Sequence, residues 1–103
     1  MWAQLINARL KPGADDALAT LYEQLQAAER PGSGLVRSLG MRDQKDPSRL
    51  YMLVVFESEE KARAREQDER RAEGLAAARA TMAEVYDGPP EFTDLVVFSD
   101  YGG

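Results

Sequence analysis

Hydrophobic and polar positions change their spacing several times along the chain, and each change marks a predicted element. Four segments are predicted to be strands: 2–10, 35–42, 50–57 and 91–99. Residues 14–29 repeat apolar side chains at helical intervals, and residues 59–86 form a second predicted helix that becomes apolar toward its end. The order strand, helix, strand, strand, helix, strand predicts an α+β fold with a ferredoxin-like βαββαβ arrangement and an antiparallel sheet.

Three small residues modify these predicted elements. Ser58 precedes an acidic turn and is predicted to cap the second helix, because its hydroxyl oxygen accepts from free backbone N–H groups. Gly74 is expected to divide that helix into two segments, since glycine costs about 1 kcal/mol inside a helix. Gly40 in the second strand indicates a β-bulge or a close backbone approach.

The third predicted strand is apolar on both of its faces, with the sequence Leu-Tyr-Met-Leu-Val-Val-Phe over residues 50–56. A strand with one solvated face would alternate apolar and polar residues, so this run predicts a strand that is covered on both sides. Right-handed crossovers place both helices on the same face of the sheet. We therefore expect a second copy of the chain to cover the other face, which makes the protein a homodimer.

Length and charge limit the class of protein. The 103 residues are expected to form a single domain, 1–103, and the formal net charge of −5 argues against a nucleic-acid partner. The arginines of residues 63–71 alternate with acidic residues, which is typical of a solvated helix face. No apolar run approaches the roughly 20 residues that span a membrane, and the N-terminus does not resemble a secretory signal. A cytoplasmic protein without membrane contact is predicted.

Two residue types are missing from the sequence, cysteine and histidine. Without cysteine the chain forms no disulfide or thiolate metal site, and without histidine it lacks the commonest general base and metal ligand. Gly32 and Gly34 follow a helix, whereas the glycines of a dinucleotide loop follow a strand. We expect no metal and no tightly bound cofactor, including haem that is ligated by histidine.

Three short segments resemble the antibiotic biosynthesis monooxygenase family. They are Leu10-Lys11-Pro12-Gly13, Asp46-Pro47 before the third strand, and Val-Val-Phe-Glu-Ser-Glu-Glu-Lys-Ala over residues 54–62. The resemblance implies a dimeric α+β barrel whose ligand cavity lies between the helices and the sheet of each subunit. Members of the family include cofactor-independent oxygenases that act on aromatic polyketides, haem-degrading enzymes and quinol-related oxygenases. The resemblance therefore implies an oxygenase activity.

The chain departs from the family pattern at positions that carry function. Members often have a tryptophan in a Glu-x-Trp run after the third strand, where this chain has Ser58 after Glu57. Many have a histidine in the second helix, where residues 62–67 contain none. The haem-degrading branch has an asparagine, a tryptophan and a histidine, of which only the asparagine has a counterpart, Asn7. Haem degradation is therefore not expected.

Three side chains on the predicted strands are candidates for catalysis. Asn7, if it faces inward, would donate a hydrogen bond to a ligand carbonyl or phenolate, and Arg37 would stabilise an enolate or phenolate. Tyr51 is the candidate for a role of its hydroxyl. The alternatives are an outward or interface position for Asn7 and an ion pair with a nearby acid for Arg37.

Six large side chains are predicted to line the cavity and to bind a substrate: Trp2, Tyr22, Phe56, Met82, Tyr86 and Phe92. Because five of the six are aromatic, a small aromatic molecule is the expected ligand. Ordinary core packing is the alternative for each residue.

Two functions are consistent with these observations. The first is a cofactor-independent monooxygenase that acts on a small aromatic or polyketide-like molecule. The second is a non-catalytic small-molecule binding or assembly module of the same fold. The missing histidine favours the second function and the family resemblance favours the first, so the sequence leaves open whether the protein is an enzyme.

Overall fold

The computed structural model describes residues 1–102 and contains four strands and three helices. In chain order the elements are β1 (Trp2–Arg9), α1 (Asp15–Ala28), β2 (Leu35–Arg42), β3 (Arg49–Phe56), α2 (Glu59–Glu66), α3 (Glu69–Val85) and β4 (Glu91–Val96). The predicted α+β class and ferredoxin-like arrangement are confirmed. Gly103, the last residue of the predicted domain 1–103, lies outside the described residues.

The sheet is antiparallel and has the strand order β2-β3-β1-β4. Its register pairs Trp2 with Phe56 and Ile6 with Met52 across the two central strands. Because successive side chains of a strand point to opposite faces, the even-numbered residues of β1 and β3 share one face. The helices cover this face, as the right-handed crossovers predict. The odd-numbered residues of β1 and β3 lie on the other face, which is called the open face below.

The second predicted helix is interrupted, but not at its glycine. α2 ends at Glu66 and α3 begins at Glu69, since the Asp68 carboxylate accepts a hydrogen bond of 2.9 Å from the backbone N–H of Arg70 and starts a new helix. The expectation that Gly74 divides the helix is therefore wrong. The predicted cap at Ser58 is confirmed, because its hydroxyl oxygen accepts from the backbone N–H of Lys61 at 3.2 Å.

Two glycines make room for a neighbouring side chain. A Cβ at Gly74 would lie 3.1 Å from the Cβ of Ala28, so the glycine permits close packing of α3 on α1. A Cβ at Gly40 would lie 3.1 Å from the hydroxyl oxygen of Tyr22, so the ring of this tyrosine reaches the backbone of β2. The irregular pairing of β2 occurs elsewhere, between Leu35 and Arg37.

Buried side chains form two clusters. One cluster joins α1 and α3 and includes Leu21 and Val85, which are fully buried. The other lies against α2 at one end of the sheet and includes Trp2, Phe56 and Ala62. Because α1 and α3 pack mainly on each other, a gap remains between this helix pair and the middle of the sheet.

The open face carries an apolar band across the sheet. Leu5, Leu53 and Leu39 lie side by side in the register of β1, β3 and β2. Each is half-buried in the isolated subunit. A contiguous apolar surface of this kind is typical of a contact with another molecule.

Candidate functional site

A cavity of about 780 Å³ occupies the gap between the α1/α3 helix pair and the covered face of the sheet. Strand residues of the covered face form its floor, and residues of α1 and α3 form its roof. Its wall is mostly apolar. Small-molecule sites typically have volumes of about 300–1,000 Å³, so the cavity has the size and lining of a ligand site.

All six side chains that were predicted to bind a substrate lie on the cavity wall. Trp2 and Phe56 form one end, where their ring centroids are 6.0 Å apart and their planes differ by 44°. Phe92 lies on the edge strand β4 and is 59% exposed, so the cavity is open to solvent on that side. The placement agrees with a binding role, and substrate binding itself stays a prediction.

Tyr22 and Tyr86 contribute two phenols to the wall. Burial raises the pKa of Tyr22, although the positive charge of Arg42 acts in the opposite direction. Burial, together with the neighbouring Tyr22, raises the pKa of Tyr86 to about 12. Both phenols are therefore neutral at physiological pH and act as hydrogen-bond donors, not as bases.

One end of the cavity is charged, because Arg65 of α2 meets Glu29 directly after α1. The Arg65 Nη2 and Nε atoms donate to Glu29 Oε1 at 2.7 and 3.0 Å, and the two side chains are only 16% and 21% exposed. Burial acts to raise the pKa of Glu29, but hydrogen bonds from Arg65 and Ser33 outweigh it and hold this pKa below its usual value. Glu29 is thus an ionised partner of Arg65 and a poor base.

Two arginines of α2 cover the aromatic end of the cavity. The guanidinium carbon of Arg63 lies 5.1 Å from the ring centroid of Trp2, and that of Arg65 lies 5.1 Å from the ring centroid of Phe56. A guanidinium at this distance is attracted by the negative face of an aromatic ring. Arg63 also donates a hydrogen bond of 2.9 Å to Asp94 on β4, so α2 is connected to the edge of the sheet.

The three predicted catalytic residues do not line the cavity. Asn7 and Tyr51 are register partners on the open face, and Arg37 pairs with Val55 on the same face. Their side chains point away from the helices because the strand register places these positions opposite to the covered face. Of the two positions that the sequence left open for Asn7, the structure has the outward one. Catalytic roles for Asn7, Arg37 and Tyr51 stay predictions.

The charged end consists of residues that the sequence does not single out. Arg65 and Arg71 belong to the stretch 63–71, whose mixed charges indicate a solvated helix face. Both arginines instead line the cavity, where the chain changes direction between α2 and α3. Glu29 precedes Arg65 by 36 positions, so no helical spacing signals their pairing.

In the part of the chain that the structure describes, no three or more His, Cys, Asp or Glu residues form a group suited to a metal ion. Across residues 1–102, none of the helices combines the length and the apolar character needed to cross a membrane.

A ferredoxin-like sheet with a cavity beneath one helix layer defines the class of small α+β proteins to which this chain belongs. The family model for antibiotic biosynthesis monooxygenase matches residues 1–81, and the chain belongs to this family. The resemblance of the three short segments is thereby confirmed. No curated protein matches the chain in sequence.

Solved structures share this fold over nearly the whole chain. MhuD has a TM-score of 0.80 and 20% sequence identity, with 100% of both chains covered. A Nitrosomonas europaea protein assigned to the antibiotic biosynthesis monooxygenases has a TM-score of 0.75 and 16% identity, covering 96% of this chain and 100% of its own. SnoaB, a cofactor-independent oxygenase from Streptomyces nogalater, has a TM-score of 0.72 and 11% identity, covering 96% of this chain and 94% of its own. Identities this low show a common fold only.

The MhuD structure contains two manganese protoporphyrin IX molecules per active site. The present chain has no histidine, so it offers no imidazole as an axial ligand to a haem iron. Its residues do not fit a porphyrin that is ligated by histidine.

Proposed function

We propose that this protein is a cytoplasmic, cofactor-independent monooxygenase that acts on a small aromatic or polyketide-like molecule in the cavity. The observation that carries the proposal is the mostly apolar cavity of about 780 Å³ with two neutral phenols on its wall. Family membership supports it, and so does the fold shared with SnoaB, which is a cofactor-independent oxygenase.

The proposed reaction oxidises an activated CH₂ group of a phenolic ring system. The group loses a proton, and the resulting carbanion or phenolate transfers one electron to O₂. The two radicals combine to a peroxide anion, which takes back the proton to form a hydroperoxide. Loss of water from the hydroperoxide completes the reaction, so that CH₂ and O₂ become C=O and H₂O. All four electrons that reduce O₂ come from the substrate, and no other reductant is required.

The cavity residues would orient the substrate and stabilise its anion. Tyr22 and Tyr86 present neutral hydroxyl donors among apolar side chains, where a hydrogen bond to a developing phenolate is stronger than in water. Glu29 is occupied by Arg65 and has a lowered pKa, so it does not serve as the base. Glu66, the other carboxylate on the wall, is paired with Arg63 at 3.4 Å. We therefore assign water as the proton acceptor, which favours substrates that are themselves acidic.

The proposal includes a homodimer that forms through the open face. The apolar band of Leu5, Leu39 and Leu53 supports this assembly, because two such bands exclude water when they pack together. Asn7 and Tyr51 lie next to this band. Asn7, Tyr51 and Arg37 can take part in the reaction only if the ligand reaches the interface between the two subunits.

Oxygen uptake with an anthrone as substrate, without added metal, flavin or nicotinamide, tests the proposal. Tyr22→Phe is expected to lower kcat about tenfold, because a hydrogen bond to a charged group contributes on the order of 1.5 kcal/mol. Tyr101→Phe is the matched control, since Tyr101 is 92% exposed and lies outside the cavity wall. Asn7→Ala in the same assay tests whether the open face contributes.

Non-catalytic binding of a small molecule is the second candidate function. The pairing of Glu29 with Arg65 and the absence of histidine from the sequence favour it. If an anthrone binds tightly in calorimetry while no oxygen is consumed, this second function is supported and the oxygenase is contradicted.

A further inference from the structure

Charged side chains interrupt the apolar wall of the cavity at a few positions: Glu29, Arg42, Arg65, Glu66 and Arg71. Most of them have a partner of opposite charge. Arg65 meets Glu29 at 2.7 Å, and Arg42 meets Asp15 at 2.8 Å. Glu66 meets Arg63 at 3.4 Å. Arg71 is the exception among the three arginines of the wall. Within residues 1–102, no carboxylate oxygen lies within 4.0 Å of its guanidinium.

Arg71 is half-buried at the charged end of the cavity. Burial lowers its pKa and the positive charge of Arg65 acts in the same direction, whereas the negative charges of Glu29 and Glu66 act in the opposite direction. An arginine remains protonated at neutral pH in spite of such a shift. The chain therefore keeps a half-buried cation beside an apolar cavity. Glu29 and Glu66 attract this cation, but among the described residues no carboxylate is in direct contact with it.

The chemistry of this side chain indicates which anion would fit. A guanidinium presents parallel N–H donors that match the two oxygens of a carboxylate, and this bidentate geometry is stronger than a single hydrogen bond. Arg65 already uses its Nε and Nη2 donors on Glu29. Arg71 is thus the group on the wall that is available for an acidic ligand.

We propose that the cavity binds an aromatic carboxylic acid, with Arg71 bound to its carboxylate and the rings packed between the helix pair and the sheet. The inference rests on the proposed function and names the substrate class of the same site. Tyr22 and Tyr86 would then contact the ring oxygens, so that the acid group and the reacting ring are recognised by different residues.

Fluorescence titration of the full chain with an anthracene carboxylate, and with the neutral anthracene carboxamide, tests this proposal. Arg71→Met keeps a long apolar side chain but removes the charge. We expect it to weaken binding of the carboxylate about 10- to 100-fold, as for other charge-assisted bidentate pairs. Binding of the carboxamide is expected to change less than about twofold.

The matched control is Arg70→Met. Arg70 is the preceding residue, its side chain is 68% exposed and pairs with Asp68 at 3.2 Å, and it does not line the cavity. Its substitution is expected to leave binding of both probes unchanged. Arg71→Lys should retain part of the affinity for the carboxylate, because it keeps the charge but loses the bidentate geometry.

Thermal unfolding of the ligand-free variants separates this role from a structural one. Arg71→Met is expected to change Tm little, because it removes the cost of a half-buried charge together with the attraction of that charge to Glu29 and Glu66. An equal loss of affinity for the carboxylate and the carboxamide would overturn the proposal, because Arg71 would then only shape the cavity.

A sulfonate probe tests whether the anion is a carboxylate. If an anthracene sulfonate binds more tightly than the carboxylate, and inorganic phosphate competes with it, the site is selective for a tetrahedral oxyanion and the carboxylate proposal is overturned. Since binding is measured without turnover, a lack of oxygen uptake would contradict the oxygenase but not this site.

Discussion

Glu29 and Arg65 illustrate how single residues shape the cavity. Their ion pair joins the segment after α1 to α2, and the Arg65 guanidinium also lies over the ring of Phe56. The pair is largely shielded from solvent, so it is screened less by salt than a surface pair. One carboxylate therefore neutralises Arg65 and holds this arginine beside an aromatic ring.

Glu29→Gln is expected to destabilise the protein by about 1–3 kcal/mol near pH 7, because Arg65 loses its ionised partner. The pKa of Glu29 is lowered in the folded state, so its contribution is present above the unfolded value of 4.5 and is lost as pH falls through the folded pKa. Urea denaturation near pH 7 and near pH 3 measures the free energy of unfolding of both proteins. The difference in this free energy between wild type and variant should be smaller at pH 3. An equal difference at both pH values would contradict a stabilising ion pair between Glu29 and Arg65. Glu23→Gln, on the exposed side of α1, is the control.

At the scale of elements, the close crossing of α1 and α3 determines the shape of the cavity roof. Ala28 meets Gly74 at this crossing, and fully buried Leu21 and Val85 belong to the same cluster. Because the two helices bury their apolar residues against each other, they form one unit above the sheet. The cavity is the space that this unit leaves.

Gly74→Ala tests the crossing. An alanine in an exposed helix position stabilises by about 1 kcal/mol relative to glycine. Here we expect the opposite sign, a destabilisation of about 1 kcal/mol, because the new Cβ would lie 3.1 Å from the Ala28 Cβ and 3.2 Å from its Cα. Chemical denaturation measures the change, with Ala76→Gly at an exposed position of α3 as the reference for helix propensity. A stabilised Gly74→Ala protein would show that the helices separate readily.

At the scale of the whole molecule, the two faces of the sheet have different neighbours. The covered face meets the cavity and the helices, whereas the open face of this subunit carries the leucine band, and Phe98 beyond β4 is 98% exposed. The third strand is apolar on both faces, which agrees with a sheet that is covered on both sides in an assembly.

Leu53→Lys is expected to convert a dimer into a monomer at micromolar concentration, because it places a charge in the centre of the apolar band. Light scattering measures the mass, and Ala19→Lys on the exposed side of α1 is the control. A stable interface of this kind should bury more than about 2,000 Å². A wild-type protein that is monomeric at micromolar concentration would rule out the dimer.

Much of the architecture could be predicted from sequence because it depends on short-range patterns. Apolar spacing predicts β1, α1, β2 and β3 to within one or two residues of their observed ends, and Ser58 is identified as a helix cap by its position alone. The cavity-lining aromatic residues are also predicted from type and spacing, since large apolar side chains in a small domain lie in or beside its core.

The tertiary structure decided where these residues meet. A shift of one residue in strand register moves a side chain to the other face, so the orientation of Asn7 and Tyr51 depends on pairing across β1 and β3. The second predicted helix breaks where Asp68 caps a new helix, and not at Gly74. Arg71 follows this break and lies on the cavity wall. Glu29 contacts Arg65 although 36 positions separate them in the sequence. Such contacts join distant parts of the chain, and no local pattern of residues encodes them.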